Sequence, residues 1–126
     1  MRIFHRHLWN NQRGATAVEF AIVGPVFILL LIGILYLCMC LFVAGSMHYA
    51  VEDGARCASV RTTVCSDETT TVAYTQSHYY GPSSPPTFTY DPAATCGHSV
   101  SGSINYVVDL GLKQITVPIT AAACFP

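Results

Sequence analysis

The chain has 126 residues, of which 52% are hydrophobic, and its formal net charge at pH 7 is −1. This length leaves room for at most one small domain beside any membrane segment. Residues 1–14 carry three arginines and no acidic residue, whereas residues 15–126 carry three basic and seven acidic residues. An acidic main portion gives no support to nucleic-acid binding, so nucleic acid is not an expected partner.

The first predicted element is a membrane-spanning helix. The segment Phe20–Val51 contains no charged residue, and Phe20–Ala44 is almost wholly apolar. A bilayer core of about 30 Å needs roughly 20 helical residues, and basic residues beside a first span stay in the cytoplasm. The pattern predicts a cytoplasmic leader over 1–14, a transmembrane helix over 15–44 and an exported remainder.

A cleaved secretory signal is the alternative interpretation of this segment. Such signals have an apolar region of about 7–15 residues followed by small residues at the cleavage site. Ala44–Ser46 fits a cleavage region weakly, but the apolar run is much longer than that range. Length therefore favours a retained anchor.

A short motif stands where the apolar run begins, with the sequence Arg-Gly-Ala-Thr-Ala-Val-Glu-Phe over residues 13–20. Gly14 would let a protease approach the backbone closely, because it has no side chain. Cleavage there would expose an amine at Ala15 and remove the arginines. Glu19 would then be a carboxylate at the mouth of an apolar helix, where it would usually need a partner. The alternative is that Glu19 lies at headgroup level and favours the positive end of the helix dipole.

This motif resembles the processing site of type IV prepilins, in which a peptidase cuts after a glycine and the fifth mature residue is glutamate. Residues 14–26, with Glu19 followed by Phe20 and with Pro25 six residues after Glu19, are similar to the TadE family of minor pilins from the tight-adherence (Flp-type) pilus system. The later run Ala50–Arg56 fits the same family, and the ending over 121–126 resembles it more weakly. The resemblance implies processing after Gly14, and it implies that the amine of a neighbouring subunit, at its Ala15, pairs with Glu19.

The resemblance also implies a function and a location. We expect a minor pilin or pseudopilin that takes part in pilus assembly from the bacterial inner membrane, with its C-terminal domain extracytoplasmic. The implied partners are a prepilin peptidase, other pilin subunits and the assembly platform. A permanently anchored binding or adhesin module that never enters a filament is the alternative. A pseudopilin of a secretion machine would have an N-terminal segment of the same type.

Three further residues lie in the predicted span. Pro25 removes the backbone hydrogen bond to Ala21 and should kink or loosen the helix, either as an ordinary membrane proline or as a flexible section used in assembly. Cys38 and Cys40 are two residues apart and face different sides of a helix, so they cannot bond to each other. We interpret both as small apolar filler rather than as sites of lipidation or intersubunit bonding.

Beyond the span, small residues at intervals of three and four predict that the helix continues over 45–63. The β-branched residues of 60–64 indicate its end. A short helix is predicted within Asp67–Tyr80, capped by Ser66 or Asp67.

The rest of the chain predicts a three-stranded antiparallel sheet. Thr87–Tyr90, Val100–Leu110 and Gln114–Ala121 alternate as strands do, with a hairpin turn at Asp109–Lys113 and an edge or bulged last strand because of Pro118. The predicted fold class is α+β and pilin-like. The exported domain is expected over 64–126.

Four cysteines fall in the exported part, and small exported domains use disulfides to supplement a small core. Three pairings are possible. We favour Cys57–Cys65 with Cys96–Cys124. The first pair requires the helix to end between its members, because eight residues of continuous helix would hold them about 12 Å apart.

No pattern of catalytic residues is present, so we expect no enzyme activity, no cofactor and no small-molecule substrate. His78, Cys96 and His98 are the nearest approach to a zinc site, but their spacing does not match known sites. We therefore expect no metal.

Overall fold

The computed structural model describes residues 12–82, 84–109, 111 and 113–126, with Gln12 and Arg13 described by their backbone alone. Two helices are followed by three strands: α1 Gln12–Val60, α2 Glu68–Ser77, β1 Thr87–Ala94, β2 Gly97–Asp109 and β3 Gln114–Phe125. The α+β prediction is confirmed. The predicted leader falls largely outside the described residues, and so do Leu110 and part of the loop before β1.

The chain divides into two compact units, residues 1–37 and 38–126. In the second unit, the end of α1 packs through small and apolar side chains on one face of the sheet. The core residues are Val43, Met47, Ala50, Val51 and Ala55 from α1, with Phe88, Val100, Ile104, Ile119 and Ala121 from the strands. This is the helix face that intervals of three and four residues predicted.

A disulfide closes the end of α1. The backbone leaves the helix after Val60 through a turn in which the amide of Cys65 donates to the carbonyl of Arg61 at 3.0 Å. The turn brings Cys57 and Cys65 to a Cα separation of 5.8 Å, and they are bonded. The helix therefore ends between the two cysteines, as the β-branched run predicted.

Helix α2 begins at a capping box. The carboxylate of Asp67 accepts the Thr70 amide at 2.8 Å, while the Thr70 hydroxyl accepts the Asp67 amide at 3.1 Å. The bond from the Thr70 backbone lowers the pKa of Asp67 from its ordinary value. Of the two predicted caps, Asp67 is the one used.

The sheet is antiparallel in the order β1-β2-β3, so β3 is an edge strand, as Pro118 predicted. The first two strands are longer at their shared turn than the sequence indicated. They continue until Ala94 pairs with Gly97, whose positive φ of 116° suits a glycine in a two-residue hairpin. The prediction had placed this stretch in a loop, because Asp91 and Pro92 weaken a strand pattern and a bulge between Asp91 and Ala94 interrupts it.

The second hairpin lies at the predicted turn. Gly111 has a φ of 78°, and its amide donates to the Asp109 carboxylate at 2.8 Å, which lowers the pKa of Asp109. Ile115, which points to the same face of β3 as Val117 and Ile119, is 44% exposed. It lies beside this turn, at the end of the strand, where less of the protein covers the sheet.

The second disulfide joins Cys96 to Cys124 with a Cα separation of 6.1 Å. It connects the β1–β2 turn to the end of β3. Both bonds follow the pairing that the sequence analysis favoured.

Candidate functional site

The first unit presents an apolar helical surface. Its large side chains are exposed, as in Phe20 at 78%, Leu29 at 69% and Leu35 at 66%. Within Gly14–Val60, an 18-residue window has a mean hydropathy of 3.1 and is 6% buried. Among the described residues, α1 is the one helix that is long and apolar enough to cross a membrane. An apolar surface of this extent requires cover by lipid or by other helices.

The motif at the start of this surface is helical and accessible. Gly14, Ala15 and Glu19 are all exposed, and a Cβ added at Gly14 would meet no heavy atom within 4 Å. Ala15 and Glu19 are four residues apart, so they lie on the same side of α1, about 6 Å apart along its axis. The helix thus leaves Gly14, Ala15 and the Glu19 carboxylate accessible, with Ala15 and Glu19 on one side.

The backbone stays α-helical through Pro25. A proline inside a helix lacks the N–H that would bond to the carbonyl four residues earlier, which here belongs to Ala21. Among the described residues, Cys38 and Cys40 are free cysteines, the first exposed and the second half-buried. Their side chains are not bonded to each other, consistent with their two-residue spacing.

In the second unit, polar side chains join α1 to α2. The Tyr74 hydroxyl donates to a carboxylate oxygen of Asp53 at 2.8 Å, and Arg61 donates to the same hydroxyl at 3.3 Å. His78 stacks on the Tyr74 ring with centroids 4.2 Å apart, and its Nε2 lies 3.6 Å from Asp53. Burial, reinforced by the bond to Asp53, raises the pKa of Tyr74. This polar cluster holds the two helices together.

Sequence reasoning missed this cluster. It considered His78 only as a possible zinc ligand, and it linked neither Asp53 nor Tyr74 to that residue. The three residues come together because α2 packs against the last turns of α1 after the Cys57–Cys65 turn. No sequence interval links a residue at 53 to one at 74, so no local pattern could have shown the contact.

The three residues considered as zinc ligands are used in other ways. Cys96 is in a disulfide, His98 bonds through Nδ1 to the Tyr90 hydroxyl, and His78 belongs to the polar cluster. Within residues 12–82, 84–109, 111 and 113–126, no three His, Cys, Asp or Glu side chains are grouped as a metal site would require.

An open groove of about 510 Å³ lies on the second unit, between one face of α1 and the end of β3. Its walls are Tyr49, Glu52, Asp53 and Arg56 from the helix and 122–125 from the strand. The groove combines charged helix residues with the edge of β3 that does not pair with β2.

Comparison with known proteins places a family match on α1. Residues 14–56 match the family described as TadE-like protein, which confirms the resemblance found in the sequence. The match begins at Gly14 and ends at Arg56, so it covers the apolar helix and the part of α1 that packs on the sheet. Searches of curated proteins and of solved structures found no match.

Proposed function

We propose that this TadE-like chain is a minor pilin or pseudopilin that takes part in assembly of a Tad/Flp-type adhesion pilus. In this proposal it resides in the bacterial inner membrane with residues 45–126 outside, and it acts by assembly rather than by catalysis. The observation that carries the proposal is the TadE-like match, which starts at the glycine of the predicted cleavage site and runs along an exposed apolar helix.

A prepilin peptidase would cut after Gly14. Supporting this, Gly14 has open space around its Cα, and neither Ala15 nor Glu19 is buried against the rest of the chain. Cleavage would leave a positive amine at Ala15 close to the carboxylate of Glu19. In an apolar surrounding each charge needs a partner, and neighbouring subunits would supply it reciprocally.

The disulfides fit an exported location. Oxidised cysteine pairs persist in oxidising compartments, and this chain uses two of them to close a domain with a small core. The other subunits and the assembly platform would contact the exposed apolar helix once it leaves the lipid.

The experiment is intact mass and N-terminal sequencing of the full chain from its native membranes, with and without reductant. We expect a start at Ala15 and two disulfides. The matched variants are Gly14→Ala, which should block cleavage without disturbing the fold because its Cβ meets nothing, and Gly33→Ala, which is equally open and should be processed normally. A mature protein that begins at Met1 would refute the pilin proposal and favour the permanently anchored binding module.

A further inference from the structure

The β2–β3 hairpin extends beyond the rest of the sheet. Because β1 starts at Thr87, which pairs with Ser103, no further described strand pairs with residues 104–109 and 114–119, and we call this two-stranded part the ribbon. Val107 is 50% exposed on one face of the ribbon, and Ile115 is 44% exposed on the other. The end of the ribbon thus exposes an apolar side chain on each face, whereas an antiparallel sheet that borders water commonly has one polar face.

Contacts between α1 and the sheet fix the direction in which the ribbon points. The Ser59 hydroxyl donates to the Pro126 carbonyl at 2.6 Å, and a Cβ added at Gly102, which pairs with Ala121, would lie 3.2 Å from the Met47 side chain. The helix rises about 18 Å from Met47 to Ser59, and the extended chain covers about 17 Å from Ala121 to Pro126. In the second unit β3 therefore runs alongside α1 in the same direction, and the ribbon points toward residue 38.

The same rises give the level of each ribbon residue along α1. Ile119 lies about 7 Å before Ala121 on β3, and Val43 lies about 6 Å before Met47 on α1. Ile119 and Val43 are therefore level with each other, and both belong to the buried core. Ile115 lies about 13 Å further along the ribbon, on the side of residue 38.

The end of the ribbon is level with the expected edge of the bilayer. Roughly 20 helical residues cross the hydrocarbon core, so a core that begins at Phe20 ends near Met39. Met39 lies four residues, or about 6 Å, from Val43. The ribbon end, about 13 Å from the level of Val43 in the same direction, thus reaches the outer edge of the hydrocarbon.

Charged groups at the turn limit the depth that the ribbon can reach. The Asp109 carboxylate accepts the Gly111 amide at 2.8 Å and the side-chain amide of Gln114 at 3.2 Å, and Lys113 is exposed in the same turn. Charges are costly in hydrocarbon, whereas a lysine can bury its apolar stem and keep its ammonium group among headgroups. The headgroup region therefore suits both the apolar and the charged residues of the ribbon end.

We propose that the ribbon end, with Val107 and Ile115 as its apolar contacts, lies in the outer headgroup region of the bilayer that α1 spans. The partner is lipid, because Met39, Leu41 and Phe42 are exposed apolar residues of α1 along the same stretch as the ribbon. This contact gives the exported domain a second attachment to the membrane beside the helix. The inference rests on the proposed function for the placement of α1 in a membrane with residues 45–126 outside.

The depth of the ribbon can be measured with a fluorescent probe and quenching lipids. The full chain carries Cys38→Ala and Cys40→Ala, and Val107→Cys or Ile115→Cys is labelled with an environment-sensitive fluorophore without reductant, so that both disulfides stay closed. The labelled chain is reconstituted in phosphatidylcholine–phosphatidylglycerol vesicles that contain lipid with a nitroxide near the headgroup or near the end of the acyl chain. Ser101→Cys is the matched control, because it is exposed on the same face of β2 as Val107 and lies about 20 Å further from the membrane.

We expect the shallow nitroxide to quench the probes at positions 107 and 115 several-fold more than the probe at position 101, and more than the deep nitroxide does. Quenching no stronger than at position 101 would overturn the proposal. A blue-shifted emission without quenching would show that protein covers the ribbon end, and it would overturn the proposal as well. Stronger quenching by the deep nitroxide would overturn the headgroup placement.

A charge placed on the ribbon tests whether the apolar contact holds it. Val107→Asp should reduce the quenching of a probe at Ile115 several-fold, while Ser101→Asp should leave that quenching unchanged. Both positions are exposed, so the two variants should keep both disulfides and similar unfolding midpoints. Unchanged quenching in the folded Val107→Asp variant would overturn the proposal.

The N-terminus of the chain from native membranes is determined in parallel. A start at Met1 together with strong shallow quenching would refute the pilin function but leave the lipid contact of the ribbon standing. A start at Ala15 with quenching no stronger than at position 101 would do the opposite.

Discussion

Gly54 lies where α1 comes close to Thr75 of α2, and its replacement by alanine gives the sharpest test of the packing. A Cβ at this position would lie 2.1 Å from Oγ1 and 3.2 Å from Cβ of Thr75. Thr75 is fully buried, and its hydroxyl donates to the Thr71 carbonyl at 2.8 Å. The threonine therefore cannot turn away without losing this hydrogen bond, and the helices must separate.

Two opposing terms set the magnitude. Overpacking a well-packed contact costs about 1–3 kcal/mol, and at 2.1 Å we expect the upper part of that range. Replacing glycine by alanine inside a helix raises the free energy of unfolding by about 1 kcal/mol, because alanine has the higher helix propensity. Gly54→Ala should thus lower the free energy of unfolding by about 1–2 kcal/mol. Gly45→Ala, on the open side of the same helix, should instead raise it by about 0.5–1 kcal/mol.

The assay is urea unfolding of the oxidised full chain in detergent micelles, followed by the near-ultraviolet circular dichroism of the tyrosines. Thr75→Ala in the Gly54→Ala background removes two of the three contacting atoms, so the double variant should be more stable than additivity predicts. If Gly54→Ala proves as stable as Gly45→Ala, the close crossing of α1 and α2 is wrong.

Further outcomes follow from caps, hydroxyl groups and disulfides. The folded state lowers the pKa of Asp67, so the cap should stabilise α2 fully above pH 3.8 and lose this effect as the pH falls further. In an acid titration followed by helicity, Asp67→Ala should remove this pH dependence of the stability of α2. Tyr74→Phe should lower the free energy of unfolding in urea by about 1 kcal/mol, because it removes the hydrogen bond to Asp53 of α1. Tyr79→Phe should leave the free energy of unfolding unchanged, because its buried hydroxyl has no hydrogen-bond partner among the described residues. Replacing Cys96 and Cys124 by serine should lower the free energy of unfolding by about 3.5 kcal/mol, because that disulfide closes a loop of 28 residues. Replacing Cys57 and Cys65 by serine should lower it by about 2.5 kcal/mol, because that loop spans 8 residues. The reverse order of the two disulfide variants would contradict the loop-closure reasoning.

Short sequence patterns predicted much of the secondary structure. The apolar run predicted a long helix because a continuous stretch of such side chains is stable only in lipid or against other helices. Ser66 and Asp67 predicted the start of α2 because a hydroxyl or a carboxylate can accept hydrogen bonds from free amides at a helix N-terminus. Pro118 predicted an edge strand because it has no N–H to donate to a second neighbour. Each of these is a property of one residue and its immediate surroundings.

Long-range contacts needed the folded chain. The Asp53–Tyr74 hydrogen bond, the approach of Gly54 to Thr75 and the groove between α1 and the end of β3 all join residues distant in sequence. Their positions depend on how α2 and the sheet pack on the last turns of α1. The first hairpin was also underestimated, because the pairing of Ala94 with Gly97 comes from the register with β2 and not from strand propensity.

The sequence by itself determined the apolar helix, the TadE-like motif at its entrance and the α+β order of the elements, because helix propensity, hydropathy and turn chemistry act over a few neighbouring residues. Only the tertiary structure decided which polar groups meet and which stay unpaired. Asp53 is drawn into a bond with Tyr74, while Glu52 beside it is left facing outward with Arg56, because α2 covers one side of α1 and leaves the other exposed.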